Sequence, residues 1–407
     1  MKKVCNLLLG TILSVVLFSC SSTPTSTLTQ SGLSQASFDS TIYGKKTELI
    51  VLKNTHGMEV CLTNYGGRVV SLIVPDKTGN PTDVVLGYDN LRQYADTVNS
   101  PSDYGSSVGR YANRIKDSKL SLAGSIYNLK ANDHSHCLHG GGNTGWMHQV
   151  YDVTEKSDSS VTFVINAPDD ENGFPGNVTA SATYTVKENN TLDIVFKATT
   201  DKETVINMTN HSYFNLNGDP SKEGFNQIMY INADQFTPSD SLYIPTGEIK
   251  SVKGTPMDFR VPTAIGKKID YNYDQIKNAT GYDHNWCLNT YKKDKGNDKI
   301  VAASLYSPLT GILLEVFTNE PGIQVYTGNF QGTGIACKHG IKYPKHVSVC
   351  FESQKYPDSP TKIAEKTVGW TDATLKPGEE YYSQPISSAL RNKPSQNLNT
   401  NTKIWNY

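Results

Sequence analysis

Short apolar runs rich in β-branched residues, separated by polar turns, follow one another along most of this chain. The clearest is the stretch 178–186, in which apolar residues alternate with serine or threonine. A second run, 192–198, follows after Glu188-Asn189-Asn190. An alternation of period two predicts strands with one buried and one solvated face, as in antiparallel sheets. Further strands are predicted at residues 48–53, 58–63, 69–74, 119–122, 126–129 and 347–351.

Helical patterns are rare in the same sequence. Only residues 91–95 predict one or two helical turns, and no long helices alternate with the strands. Ala123-Gly124-Ser125, between two of the short runs, is typical of a hairpin. We therefore predict an all-β protein whose residues 38–390 form one large antiparallel β-sandwich.

The N-terminus has the features of a targeting segment. Lys2 and Lys3 precede an apolar run, residues 7–18, that is too short to span a bilayer comfortably. Leu17-Phe18-Ser19-Cys20 then resembles a bacterial lipobox, in which the cysteine is lipidated, and a plain secretory signal is the alternative. The predicted organisation outside the sandwich is a signal peptide at 1–19, lipidated Cys20 with a flexible tether over 20–37, and a polar C-terminal extension at 391–407.

These terminal features predict a lipoprotein of the cell envelope, anchored by lipid at a periplasmic or outer-membrane face. The whole chain of 407 residues has a formal net charge of −1 and contains no basic block, which argues against nucleic acid as a partner. The cysteines beyond Cys20 are odd in number and lack the spacing of a zinc site, so most are expected to be small buried residues. They are Cys61, Cys137, Cys287, Cys337 and Cys350.

The densest group of hydrogen-bonding and aromatic residues is Asn210-His211-Ser212-Tyr213-Phe214-Asn215-Leu216. A buried strand needs apolar residues on its inward face and not this many polar groups. A site for a polyhydroxylated ligand needs both aromatic and hydrogen-bonding residues, because rings cover the C–H faces of the ligand while amides and imidazole bind its hydroxyls. The alternative is a core histidine whose hydrogen bonds are satisfied by its neighbours.

Five other polar and aromatic clusters accompany this segment. Taken in order, the six resemble the motifs of the aldose 1-epimerases, also called galactose mutarotases, over roughly residues 40–385. Each motif is weak alone, whereas six in order are specific. The other five clusters are 109–115 (Gly-Arg-Tyr-Ala-Asn-Arg-Ile), 138–141 (Leu-His-Gly-Gly), 281–286 (Gly-Tyr-Asp-His-Asn-Trp), 320–330 and 351–360.

The resemblance implies a fold, an activity and a set of roles. The fold is an extended sandwich, or supersandwich, with a monosaccharide in an open cleft on one sheet. The activity is interconversion of the α and β anomers of free aldoses such as galactose and glucose, with neither metal nor cofactor. His211 matches the general acid that protonates the ring oxygen, and Glu352 matches the general base that removes the proton from the C1 hydroxyl.

The same resemblance carries over a set of substrate-binding residues. His139 matches a second histidine near the ring oxygen, and Asp283 matches a carboxylate that accepts hydrogen bonds from sugar hydroxyls. The full set of predicted substrate-binding residues is Asn113, Arg114, His139, Tyr213, Asp283 and Glu320. The chain departs from the usual family pattern at Ser353, Lys355, Tyr356 and Met257, and none of these departures removes an acid, a base or a hydroxyl ligand.

Three other functions stay open on the sequence. The main alternative is a non-catalytic surface carbohydrate-binding protein on the same scaffold, because a fold does not guarantee chemistry. An epimerase for a phosphorylated sugar would need a cation cluster beyond Arg114. A polysaccharide lyase would need tyrosine or arginine groups that neutralise an acidic substrate, and the motifs do not resemble such a set.

Overall fold

The computed structural model describes residues 28–293 and 295–392. Strands make up 39% of the structure and helices 11%, and the architecture is that of a large antiparallel β-sandwich, so the predicted fold class is confirmed. The predicted signal peptide, Cys20 and residues 393–407 of the C-terminal extension lie outside the described residues.

The largest sheet has nine strands, and neighbouring strands are antiparallel throughout. In the strand Val178–Lys187 buried residues alternate with exposed or half-buried ones, as the period-two pattern predicts. In spatial order the strands are Asp152–Lys156, Ser160–Ala167, Val178–Lys187, Thr191–Thr200, Tyr381–Asn392, Ile312–Phe317, Ala303–Tyr306, Ile228–Ile231 and Thr263–Ala264.

Two smaller sheets complete the sandwich. The six-stranded sheet runs in the order Tyr213–Phe214, Val349–Gln354, Gly322–Tyr326, Asp283–Cys287, Gln235–Thr237 and Lys250–Ser251. The four-stranded sheet runs in the order Leu49–Lys53, Glu59–Thr63, Arg68–Pro75 and Pro81–Asp83. The strands predicted from the early apolar runs thus form one sheet.

Short two-stranded ribbons fill the connections between the sheets. They pair Ser40–Ile42 with Lys45–Thr47, Ser107–Val108 with Thr209–Asn210, Arg114–Ile115 with Cys137–Leu138, Lys119–Leu122 with Ser125–Asn128, Thr204–Val205 with Thr374–Leu375, and Tyr291–Lys292 with Lys295–Gly296. The ribbon Lys119–Leu122 with Ser125–Asn128 is the hairpin predicted around Gly124.

The described residues contain three short α-helices, Leu91–Ala95, Asp274–Ala279 and Ser359–Ala364. The first was predicted, whereas the other two were missed because six residues are too few to display a helical period. Single 3₁₀ turns lie at Gln35–Ser37, Lys116–Ser118, Gly142–Thr144, Trp146–His148, Glu171–Gly173, Ile265–Lys267 and Lys338–Gly340. Within 28–293 and 295–392, no helix has the length and apolar character needed to cross a bilayer.

One apolar core joins the three sheets. Phe196 and Leu314 reach it from the nine-stranded sheet, Leu62 from the four-stranded sheet, and Trp286 and Phe351 from the six-stranded sheet. All five are fully buried. Because one face of the six-stranded sheet is committed to this core, its other face is free to carry polar groups.

The segment predicted as a flexible tether is ordered over its described part. Leu33 and Phe38 are buried, and the backbone N–H of Gln30 donates to Glu59 Oε1 at 2.7 Å. Residues 28–37 therefore pack against the sandwich, and the tether was predicted too long at its C-terminal end. The sequence pattern missed this because Leu33 is one apolar residue among serines, threonines and glutamines.

The five cysteines beyond Cys20 are all buried and free of disulfides. Burial raises the pKa of the Cys61 thiol and of the Cys287 thiol to about 11. The expectation that these residues act as small buried side chains agrees with this structure.

Candidate functional site

Side chains along the strand Val349–Gln354 point alternately to the apolar core and to the opposite face of the sheet, where the site lies. Phe351 points into the apolar core, so the next side chain, Glu352, points to the opposite face of the sheet. On the neighbouring strand, Gln324 pairs in register with Glu352. That face therefore carries polar groups although the strands around it are buried.

The adjoining strands add further polar groups and rings to this face. Asp283 pairs in register with Tyr326, and Tyr213 pairs with Cys350. Gln324 Nε2 donates a hydrogen bond of 2.7 Å to Asp283 Oδ1. The sheet thus sets Asp283, Tyr326 and Tyr213 beside Glu352 by register alone, although these residues are far apart in the sequence.

His211 stands just before the strand Tyr213–Phe214. Its backbone N–H donates to the Ser106 carbonyl, and its own carbonyl accepts from the Gly105 N–H, both at 2.9 Å. The imidazole stacks on the Tyr213 ring, with centroids 4.8 Å apart and planes at 15°. Its Nε2 lies 3.5 Å from Glu352 Oε1, and both side chains are at most 5% exposed.

A short ribbon positions the arginine and the second histidine. Arg114 pairs in register with Leu138, which places His139 directly after the ribbon. The backbone N–H of Asn113 donates to His139 Nδ1 at 3.2 Å, and the His139 N–H donates to the Asn113 carbonyl at 3.1 Å. Gly140 follows with φ 71°, and a side chain there would collide with the Gly109 carbonyl.

The Arg114 guanidinium is held on two sides. Its Nε donates to Asp133 Oδ2 at 2.7 Å, and its central carbon lies 4.6 Å from the centroid of the Tyr243 ring. Both contacts restrict the side chain, which is 9% exposed. The guanidinium is thereby fixed at the edge of the site before any ligand binds.

These elements enclose a cleft of about 330 Å³, a suitable size for a small ligand. Seven of the eight residues predicted for catalysis and substrate binding line it, and Glu320 is the exception. The lining residues are Tyr88, Pro101, Ser102, Asp103, Tyr104, Asn113, Arg114, Leu138, His139, His211, Tyr213, Asp283, Tyr326, Phe330, Gln331, Thr333 and Glu352.

Several of these lining residues were missed by sequence reasoning, above all Asp103. The segment Pro101-Ser102-Asp103 has the composition of a solvated turn, and no signal in it indicates a site. Gln324, which binds Asp283, had a usable signal. It stands between Ile323 and Val325 in an apolar strand, where a lone polar residue on the outward face suggests a ligand or a partner.

Burial governs the charges in the cleft. It raises the pKa of Glu352 well above its ordinary value, and Asp283 and Asp103 raise it further, while Arg114 acts against them. Burial lowers the pKa of His211, and the negative charge of Asp103 opposes that effect. Relative to water, the site makes His211 a stronger acid and Glu352 a stronger base.

The other two titratable groups of the cleft respond to burial in the same way. Burial lowers the pKa of His139 to about 3, so the ring is neutral at neutral pH. Burial also raises the pKa of Asp283, against the effects of Arg114 and of the hydrogen bond from Gln324. His139 therefore acts as a neutral hydrogen-bonding group.

One cluster in the described part of the chain has the composition of a metal site. Asp103, His139 and His211 each place one possible ligand atom within 4.8 Å of the others. However, His139 Nδ1 accepts the Asn113 N–H, so the neutral ring carries its own proton on Nε2. Neither ring nitrogen then offers a free lone pair, and these three residues do not fit a metal ion.

Glu320 corrects the sequence prediction. Its side chain is 1% exposed and lies outside the cleft, and its Oε2 accepts from Lys355 Nζ at 2.7 Å. The carboxylate is thus neutralised by a neighbour and is not directed at a ligand. The residue was proposed from the motif that begins at Glu320, but only Tyr326 and Phe330 of that motif reach the cleft.

We expect Glu320→Gln to weaken the fold and to leave sugar turnover unchanged. The substitution leaves the Lys355 ammonium without its buried partner, which costs about 1–3 kcal/mol. Urea unfolding measures the loss, and polarimetry at a temperature where both proteins are folded measures turnover. An increase in KM with unchanged stability would instead make Glu320 a substrate ligand.

Comparisons with known proteins agree with this geometry. The family model described as aldose 1-epimerase matches residues 48–386. The chain is 37% identical to the galactose mutarotase of Bos taurus, over 80% of this chain and 89% of that one. It is 35% identical to the aldose 1-epimerase of Escherichia coli strain K12, over 84% of this chain and 94% of that one.

Solved structures give the same result. A GalM/aldose epimerase homologue from C. elegans superposes with a TM-score of 0.76 at 28% identity, covering 86% of this chain and 100% of that one. A galactose 1-epimerase from Lactobacillus acidophilus NCFM superposes with a TM-score of 0.73 at 27% identity, covering 87% of this chain and 97% of that one. With the match of the family model over most of its length, the chain belongs to the aldose 1-epimerase family.

Proposed function

We propose that this protein interconverts the α and β anomers of free aldoses, galactose and glucose among them, by opening and reclosing the sugar ring. Relatives named galactose mutarotase and aldose 1-epimerase support the activity. The observation that carries the proposal is the buried pair in the cleft, His211 Nε2 and Glu352 Oε1, 3.5 Å apart.

The pair matches the demands of the reaction. The ring oxygen O5 must gain a proton while the hydroxyl on C1 loses one, and both oxygens are bonded to the same carbon. An acid and a base that act on them together must therefore be near neighbours. His211 and Glu352 meet that requirement, and burial makes the first a stronger acid and the second a stronger base.

The cycle balances without any further reactant. His211 gives its proton to O5, Glu352 takes the proton of the C1 hydroxyl, and the C1–O5 bond breaks to give the open-chain aldehyde. The aldehyde end then rotates about C1–C2. Glu352 returns a proton to the aldehyde oxygen while O5 attacks C1 and its proton goes back to His211. The sugar closes on the opposite face, and the enzyme is unchanged.

The remaining cleft residues suit the recognition of a neutral sugar. The fixed Arg114 guanidinium and the Asn113 amide can donate to hydroxyls, while the Asp283 carboxylate accepts from them. We assign His139 to the neighbourhood of the ring oxygen as a neutral donor. The Tyr213 ring, at the wall of the cleft, covers the C–H face of the sugar.

The alternative is a non-catalytic carbohydrate-binding protein on the same scaffold. Such a protein needs hydroxyl ligands but has no use for a buried acid beside a buried base, which costs stability. His211 Nδ1 and Glu352 Oε2 are both buried without a hydrogen-bond partner among the described residues. The pairing of a buried acid with a buried base therefore favours catalysis over binding alone.

We expect the purified protein, without its signal segment, to accelerate the approach of fresh α-D-galactose and α-D-glucose to anomeric equilibrium. The His211 and Glu352 side chains suffice for the proton transfers, so EDTA treatment should leave the rate unchanged. Polarimetry measures the rate of approach to anomeric equilibrium directly. A trace at the buffer rate for every common aldose would favour the carbohydrate-binding alternative.

We expect Glu352→Gln and His211→Asn each to lower kcat about 10²–10⁴-fold, the typical contribution of general acid–base catalysis. Sugar affinity should change little, because each substitution keeps a polar side chain of similar size. Glu320→Gln, which removes a buried carboxylate outside the cleft, is the matched control. If only KM changes while kcat is unaltered, His211 and Glu352 bind sugar without transferring protons.

We further propose that the protein is a lipoprotein of the cell envelope, held at a membrane face by lipid on Cys20. The support is the sequence alone: the basic start, the apolar run 7–18 and Leu17-Phe18-Ser19-Cys20. Each buried CH₂ of an acyl chain contributes about 0.8 kcal/mol, so several chains anchor a protein firmly. Such an anchor would place the cleft outside the cytoplasm.

Cys20→Ala should move the protein from the membrane fraction to the soluble fraction, because the lipid can no longer be attached. Cell fractionation, with mass spectrometry of the N-terminal peptide, measures both the location and the modification. Cys61→Ala is the control, since Cys61 is buried in the sandwich. Wild-type protein in the soluble fraction with an unmodified N-terminus would contradict the anchor.

A further inference from the structure

Asp103 lines the cleft although no sequence motif indicates it. It lies in the turn before the strand Ser107–Val108, and its carbonyl accepts from the Ser106 N–H at 3.1 Å and from Ser106 Oγ at 2.9 Å. Its carboxylate faces the cleft and falls within 4.8 Å of a ring nitrogen of His139 and of His211. A partly buried carboxylate thus lies close to the group proposed as the acid.

The turn is fixed directly to His211. Gly105 and Ser106, which follow Asp103, make the two reciprocal backbone hydrogen bonds of 2.9 Å with His211. From the other side, the fully buried Arg68 donates to the carbonyls of Ser102, at 3.3 Å, and Tyr104, at 3.1 Å. The backbone that carries the Asp103 carboxylate is therefore fixed relative to His211.

The other groups around His211 do little to stabilise its protonated form. Its ring packs on Tyr213, with Tyr326 and His139 edge-on at 6.4 and 5.4 Å. His139 is neutral, and the positive charge of Arg68 lowers the pKa of His211. The titratable and charged groups that act on His211 or on Asp103 are Arg68, His139, His148 and Glu352, with Asp283 and Arg114 acting on Glu352 in turn.

Glu352 cannot serve as the permanent counter-ion of His211, because it must be free to take the proton of the C1 hydroxyl. We infer that Asp103 is the positioning residue that favours the protonated form of His211, as a second carboxylate that does not itself transfer a proton. The inference rests on the proposed role of His211 as the acid.

The charges are consistent with this role. Burial works against ionisation of Asp103, yet the pKa of this carboxyl is lowered, because neighbouring basic groups, His211 first among them and Arg68 also, outweigh burial. Asp103 therefore stays charged. In return its charge raises the pKa of His211 and also that of Glu352. Removing it lowers both values, so both limbs of the pH–activity profile should move in the same direction.

Asp103→Asn keeps the size of the side chain and removes its charge. An opposite charge at this distance shifts a pKa by about one unit or more, so both limbs of the kcat/KM profile should move down by about one pH unit. Activity then falls about tenfold on the alkaline side, where His211 loses its proton, and rises above that of the wild type on the acidic side, where Glu352 stays ionised to lower pH. Asp103→Glu should restore the profile, and Asp298→Asn, at an exposed position, controls for net charge.

The same variants permit a measurement that does not depend on turnover. NMR titration of the His211 ring should give a lower pKa in Asp103→Asn than in the wild type, and near-UV circular dichroism shows whether each variant is folded. A His211 pKa that is equal in the two proteins, or a loss of activity that is uniform across pH, would overturn the inference. Wild-type protein without anomerase activity would refute the proposed function, while the titration would still decide the electrostatic role of Asp103.

Discussion

The alternation of side chains along the strand Val349–Gln354 connects the stability of this protein to its chemistry. Phe351 is locked into the core shared by three sheets, and that placement forces Glu352 onto the other face. A slip of one residue in register would exchange the two, burying a carboxylate in the core and exposing a phenylalanine in the cleft. The register that the apolar core selects is therefore also the register that presents Glu352 to the cleft.

The same constraint extends across the sheet. Gln324, opposite Glu352, and Tyr326, opposite Asp283, lie on the strand Gly322–Tyr326. The residues that alternate with them, Ile323 and Val325, belong to the core. Rigid strands hold groups more precisely than loops do, which suits proton transfers that require contact distances. His211 joins this frame through backbone hydrogen bonds to Gly105 and Ser106.

Features that depend on neighbouring residues in the chain could be predicted from the sequence, whereas features that depend on contacts between distant residues could not. Alternation is local, so the strands, the hairpin around Gly124 and the fold class were accessible from the sequence. The order of the motifs identified His211, Glu352 and five further residues of the cleft. Asp103 was not accessible, because its position depends on Arg68 and His211, which are distant in the chain.

Glu320 shows the opposite error. The motif suggested that Glu320 binds the substrate, but the Glu320 carboxylate pairs with the neighbouring Lys355 ammonium instead. Lys355 is also one of the positions at which the chain departs from the usual family pattern. The second and third helices were missed for a different reason, since six residues carry too little periodicity to distinguish a helix from a loop.

The balance of charge in the cleft also limits the substrate. Asp103, Asp283 and Glu352 line it, and Arg114, whose guanidinium is already paired with Asp133, is the one arginine or lysine among its lining residues. A phosphorylated sugar would bring further negative charge next to three carboxylates, and none of the described residues that line the cleft offers a free cation to offset it. A neutral aldose meets no such repulsion and can use the carboxylates as hydrogen-bond acceptors. The carboxylates that shift the pKa values of His211 and Glu352 thus also favour uncharged sugars over their phosphates.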